Sequence, residues 1–136
     1  MPSTTTPELY WLTLTAVMTA LLWLPYILNQ IVRMGLMPAL TNSNPAATER
    51  SDWARRATAA HNNAVENLVV FTALALAVHL TGTGNETTGT ACMIYFIVRA
   101  AHYIVYVLGV PVLRTLLFAA GVGCQLTLAG AVLGSV

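Results

Sequence analysis

The sequence predicts an all-α integral membrane protein, a four-helix bundle of left-handed up-down topology in a single domain over residues 1–136. Three observations predict it. The composition is 57% hydrophobic and only 8% charged, whereas a soluble domain carries about a quarter charged residues. The chain holds four apolar stretches long enough for a hydrocarbon core of about 30 Å, which takes about 20 residues of helix. The connections between the later stretches are short, and helices joined by short loops pack as antiparallel neighbours.

The first helix is predicted over residues 9–36. The tail before it, "MPSTTTPELY", has no Lys or Arg, and the apolar run is longer than a signal-peptide core, so the segment reads as a retained membrane helix. Pro25 should kink it, which membrane helices tolerate when neighbours satisfy the freed carbonyl. The polar stretch "MPALTNSNPAATERSD", residues 37–52, is the one long loop. The second helix is predicted over residues 53–80, and "TGTGNETTG" closes it with a glycine-rich turn. The third runs over residues 90–108. "GVP" then leads almost directly into the fourth, over residues 111–133, with Pro111 in the first turn, where a missing N–H costs nothing.

Arginines set the orientation. Arg33, Arg50, Arg55 and Arg56 flank the first loop, and Arg114 follows the third connection. The second connection carries only Glu86, and the N-terminal tail only Glu8. The positive-inside rule places the first and third connections in the cytoplasm, so the protein is expected to be a multi-pass membrane protein (of the cell membrane, in a bacterium) with both termini on the other side. Trp53 and Arg55 read as surface anchors, and His61, Asn62 and His79 as interfacial. A net charge of +1 with no basic patch gives no footprint for nucleic acid. Cys92 and Cys124 lie far apart in apolar runs and read as buried small hydrophobes, with no metal-ligand spacing.

The chemistry gathers at the cytoplasmic half. On helix two, Arg56, Asn63, Glu66, Asn67 and Val70 form one stripe at helical spacing, with the small Ala59 and Ala60 between them. A carboxylate this deep must face protein or water rather than lipid. On helix three, "VRAAHYIVY" places Arg99, His102, Tyr103 and Tyr106 on one face, and Arg99 is expected to meet Glu66 at similar depth. Gln30 and Arg33 end helix one, and Arg114 and Thr115 begin helix four, all on the same side. A structural clamp between Arg99 and Glu66 explains that pair alone. It does not explain why so many polar groups from four helices converge, since buried ion pairs contribute little against apolar replacements.

These residues resemble the MAPEG family, the membrane-associated proteins in eicosanoid and glutathione metabolism. The family pattern on helix two is roughly R-A-x-R-A-x-x-N-x-x-E-N. "RATAAHNNAVEN" is similar at Arg56, Ala57, Ala60, Asn63, Glu66 and Asn67. Arg99, His102 and Tyr106 match the family's helix-three residues. "PVLRT" places Arg114 on its catalytic arginine and Thr115 on the neighbouring hydroxyl, and "QIVR" matches at Gln30 and Arg33. Two positions depart: Ala59 stands where a second arginine is common, and Phe118 where some members carry tyrosine. The resemblance implies a homotrimer with glutathione between subunits. Arg33, Arg56, Asn63, Glu66, Arg99, His102 and Tyr106 would hold it, and Arg114 and Thr115 would be catalytic. The implied activity is transfer to, or isomerisation or peroxide reduction of, a lipophilic small-molecule electrophile that arrives through membrane lipid. Two other classes compete. One is a non-catalytic accessory subunit of the same fold. The other is a small proton-coupled multidrug transporter using Glu66, although such transporters carry their acid in the first helix and lack the arginine cluster.

Overall fold

The structure, a computed structural model, describes residues 5–41 and 51–136. Arg50 and the rest of residues 42–50 in the first loop, and residues 1–4 of the tail, lie outside the described residues. Among the described residues six helices follow in order: α1 Pro7–Leu21, α2 Leu24–Met34, α3 Leu36–Thr41, α4 Asp52–Thr81, α5 Glu86–Leu108 and α6 Pro111–Leu133. No strand occurs among the described residues. Four spans, Pro7–Met34, Asp52–Thr81, Glu86–Leu108 and Pro111–Leu133, are long and apolar enough to cross a membrane.

The first span carries the kink expected near Pro25, as two helices whose joining residues Leu22 and Trp23 keep right-handed helical dihedrals. It is broken into α1 and α2 at Leu22 and Trp23, just before Pro25, which has no N–H to continue the ladder. Tyr103 of α5 donates its hydroxyl to the Leu22 carbonyl at 3.0 Å, so a neighbouring helix satisfies the backbone at the break. The span ends at Gly35, whose φ of +84° turns the chain into α3. That short helix occupies the start of the stretch expected to be loop.

The α4–α5 turn also differs. α5 begins at Glu86, earlier than the expected residue 90, because Asn85 and Thr88 build a reciprocal capping box. The Thr88 backbone N–H donates to Asn85 Oδ1 at 3.1 Å. The Asn85 backbone N–H donates to Thr88 Oγ1 at 2.8 Å. The box satisfies two donors that a helix start leaves unpaired. A threonine-rich stretch without apolar periodicity hides such a start from a hydropathy reading.

The core has two parts. Toward the α4–α5 turn, Leu12, Phe71, Ala75, Val78, Ala91, Cys92, Tyr95, Cys124 and Leu128 pack together, with Phe71 and Tyr95 stacked at a centroid distance of 3.9 Å. Both cysteines are free and buried there. Toward the α5–α6 connection, Ala57, Ala60 and Tyr103 form a smaller cluster against Leu22, Tyr26, Tyr106 and Val107. The alanines leave room for aromatic rings from α2 and α5, as small residues do at membrane helix interfaces. The outside of the bundle is largely apolar, with Val32, Ile97, Val112, Leu116 and Leu126 exposed.

Candidate functional site

A cleft of about 250 Å³ opens beside the start of α6 and is lined by Asn63, His102, Tyr106, Arg114, Thr115 and Phe118. Three helices build it. α4 supplies Asn63. α5 supplies His102 and Tyr106, one turn apart. α6 supplies Arg114, Thr115 and Phe118 in its first two turns. The two-residue link at Gly109 and Val110 brings the α5 and α6 residues together, because it lets α6 turn straight back along α5. Gly109 sits at φ +75°, a left-handed helix end that a Cβ disfavours.

Arg114 lies over the Tyr106 ring, with its guanidinium carbon 4.5 Å from the centroid. That is within the range of a cation–π attraction. The His102 ring meets Tyr106 edge-on at 5.6 Å and Phe118 at 6.4 Å. Arg99 is buried and donates from Nη2 to Asn63 Oδ1 at 2.7 Å. Arginine offers only donors, so Asn63 must present its oxygen to Arg99. Its amide NH₂ is then the group left for the cleft. Among the described residues no carboxylate lines the cleft, and Asn63, Tyr106 and Arg114 all bring donors to it. The arrangement suits a ligand that brings negative charge and acceptor oxygens or a thiolate.

The expected Arg99–Glu66 pair is absent among the described residues. Glu66 is exposed on the outer face of α4, and the buried partner of Arg99 is Asn63. The reason is helical geometry: a three-residue step rotates about 60° short of a full turn. The stripe therefore has an inner edge at Asn63 and an outer edge at Glu66 and Val70. Asn67 stays half-buried and donates its amide to the Asn63 carbonyl at 2.9 Å.

Arg56 is not part of the cleft lining. Its Nε donates to the Val107 carbonyl at 2.7 Å, where it caps the C-terminal end of α5. Arg33 lies exposed in the last turn of α2 and does not line the cleft either. The Thr115 hydroxyl donates back to the Pro111 carbonyl at 3.0 Å, so its proton is engaged within α6, and a donor role requires the hydroxyl to rotate.

Gln125 escapes a reading based on charged and aromatic motifs. It is buried in the middle of α6 and donates from Nε2 to the Asn67 carbonyl at 3.3 Å, tying α6 to α4 one turn beyond Asn63. Its signal was available: an amide in an otherwise apolar span must find a partner. Tyr26 Oη and His61 Nδ1, 2.8 Å apart, likewise join α2 to α4. Arg55 pairs with Asp52 at the exposed start of α4.

No curated protein and no solved structure matches the chain. The family model described as MAPEG family matches residues 9–134. That range takes in the last three spans, all but the first two residues of the first, and every residue of the cleft, and the chain belongs to the MAPEG family.

Proposed function

We propose that the protein is a membrane-embedded, glutathione-dependent transferase acting on lipophilic electrophiles. The observation that carries this reading is the cleft itself: donors from three helices, an arginine at its mouth and, among the described residues, no carboxylate in its lining. Glutathione is anionic overall, and its carboxylates and thiolate are acceptors for such donors. Membership of a family of eicosanoid and glutathione metabolism supports the same ligand.

The exposed Glu66 supports placing the ligand between subunits of a homotrimer. A carboxylate in a spanning helix must face protein, water or a polar guest rather than lipid, and a lone subunit leaves it uncovered. In the assembly Glu66 takes the cationic amine of glutathione. Arg33, exposed at the end of α2, takes a carboxylate from a neighbouring copy. Arg56 contributes from its terminal nitrogens while Nε holds Val107. Arg99, Asn63, His102 and Tyr106 orient the tripeptide. The site lies in the cytoplasmic half, and both termini face the opposite side.

Arg114 stabilises the thiolate, whose free thiol has a pKa near 8.5 that a neighbouring guanidinium lowers. The thiol proton leaves to solvent. The thiolate sulfur then bonds to the electrophilic carbon, and a leaving group such as chloride departs with its electron pair. Thr115 assists once its hydroxyl turns from Pro111 to the sulfur. The electrophile enters from the bilayer past the apolar face of α6.

The test is conjugation of glutathione to a chlorinated nitroaromatic by purified protein. Arg114→Ala is expected to lower kcat by about 100-fold, the usual loss on removing one preorganised charge donor. Equal rates in the two proteins would remove Arg114 from this role. No turnover in the unmodified protein, with no thermal shift in millimolar glutathione, would favour an accessory subunit. Dye efflux driven by a pH gradient and lost in Glu66→Gln would favour transport.

A further inference from the structure

A second cavity lies at the other end of the bundle from the cleft. It has a volume of about 490 Å³ and is bounded by Thr6, Glu8 and Trp11 of the first span, His79 of α4, and Glu86 and Met93 of α5, among others. Ligand pockets commonly run from roughly 300 to 1,000 Å³. Its polar rim is the α4–α5 turn. Its floor, one to two turns deeper, is Trp11, Val78 and Met93.

Glu8 is the unusual residue here. Its side chain is buried, at 3% exposure, yet it lines this cavity. The Thr88 hydroxyl donates to Glu8 Oε1 at 2.6 Å. Gly84 and Gly89 clear the space around it: a Cβ on Gly84 would lie 3.0 Å from Glu8 Oε1, and one on Gly89 would lie 3.0 Å from Pro7 Cβ. A carboxylate has about four acceptor positions; Thr88, with Thr6 and the backbone of Glu8 itself close by, does not fill them all. No arginine or histidine nitrogen comes within 4.0 Å of Glu8 among the described residues. The lining holds a second carboxylate, Glu86, and no arginine. His79 acts on Glu8 only from beyond ion-pair distance; a buried negative charge is costly without a close cation, and this cavity offers room for one.

We propose that this cavity binds a membrane lipid bearing a primary ammonium headgroup. The ammonium donates to Glu8 and Glu86, and the acyl chain lies on Trp11 and Met93, which are partly exposed. His79 and the first turn of α5, with its positive dipole end, suit the phosphodiester at the rim. A lipid fits better than a water-soluble amine because the polar rim stands where the spans end and the apolar floor points into the bilayer. A primary ammonium carries three donors, which a quaternary choline lacks, so ethanolamine lipids should outcompete choline lipids, and anionic lipids should bind least.

Trp11 reports on the cavity directly. The Trp23→Phe/Trp53→Phe protein, reconstituted in choline-lipid vesicles, isolates its fluorescence. Brominated-chain phosphatidylethanolamine should associate at least about threefold more strongly than brominated phosphatidylglycerol, as a charge-assisted hydrogen bond implies. Glu8→Gln should remove the difference, and the exposed Glu86→Gln should reduce it. On the protein with Glu8 intact, dodecylammonium should displace the brominated lipid and restore fluorescence, and dodecanoate should not, a result that does not depend on how Glu8→Gln folds. Equal quenching by the two brominated lipids, a preference that survives in folded Glu8→Gln, or equal displacement by both amphiphiles would overturn the proposal. Glu8 would then be only a clamp between α1 and α5.

Discussion

At the scale of single residues, burial and direction decide what each polar group does. Asn63 and Glu66 stand one turn apart on α4. One turns inward to take the Arg99 guanidinium, and the other faces out. Their presence was legible in the sequence. Which of them meets Arg99 was not, because the two lie on adjacent edges of one stripe and only packing fixes the rotation of α4. Tyr103 gives a cleaner case. Its hydroxyl holds the Leu22 carbonyl at the break in the first span. Tyr103→Phe should lower stability by about 1 kcal/mol, the usual net worth of such a bond, with no effect on glutathione conjugation. Unfolding in mild detergent measures the first, and the chloro-aromatic assay the second. Phe71 is fully buried and stacked on Tyr95. Phe71→Ala should cost about 3 kcal/mol or more through the cavity it opens, read by the same unfolding measurement.

At the scale of elements, the helix ends carry the information that hydropathy does not. The four spans were legible because twenty apolar residues have few other uses. The exact start of α5 was not, because Asn85 and Thr88 fix it through side-chain bonds rather than through periodicity. The C-terminal end of α5 combines two devices: Gly109 in a left-handed conformation and Arg56 on the Val107 carbonyl. A Cβ at Gly109 meets an unfavourable φ and approaches Arg56 Nε at 3.4 Å. Gly109→Ala should therefore destabilise by about 1–2 kcal/mol. Because α6 starts two residues later, the same change should also disturb Arg114 and lower the conjugation rate. A stability loss with an unchanged rate would show that the cleft does not depend on this corner.

At the scale of the whole molecule, the polar groups divide into two sets at opposite ends of an apolar bundle. The arginine-lined cleft was legible in outline, since Asn63, His102, Tyr106, Arg114 and Thr115 were all singled out by spacing and motif. The Glu8 cavity was not, because Glu8 and Thr88 are 80 residues apart in sequence and neither belongs to a recognisable motif. If the cleft binds glutathione, ligand at about 100 times its Kd should stabilise the fold by about 2.7 kcal/mol. Thermal unfolding in detergent should show the shift, and Arg114→Ala should shrink it.

The link of Gly109 and Val110 between α5 and α6 also bears on how the chain is made. Two residues cannot cross a bilayer or wait as a tether, so α5 and α6 must enter the membrane as one hairpin. Arg99 travels in with them, halfway along the first arm. By then α4, which carries Asn63, has already been synthesised. The order of translation thus delivers the acceptor before the charge that needs it.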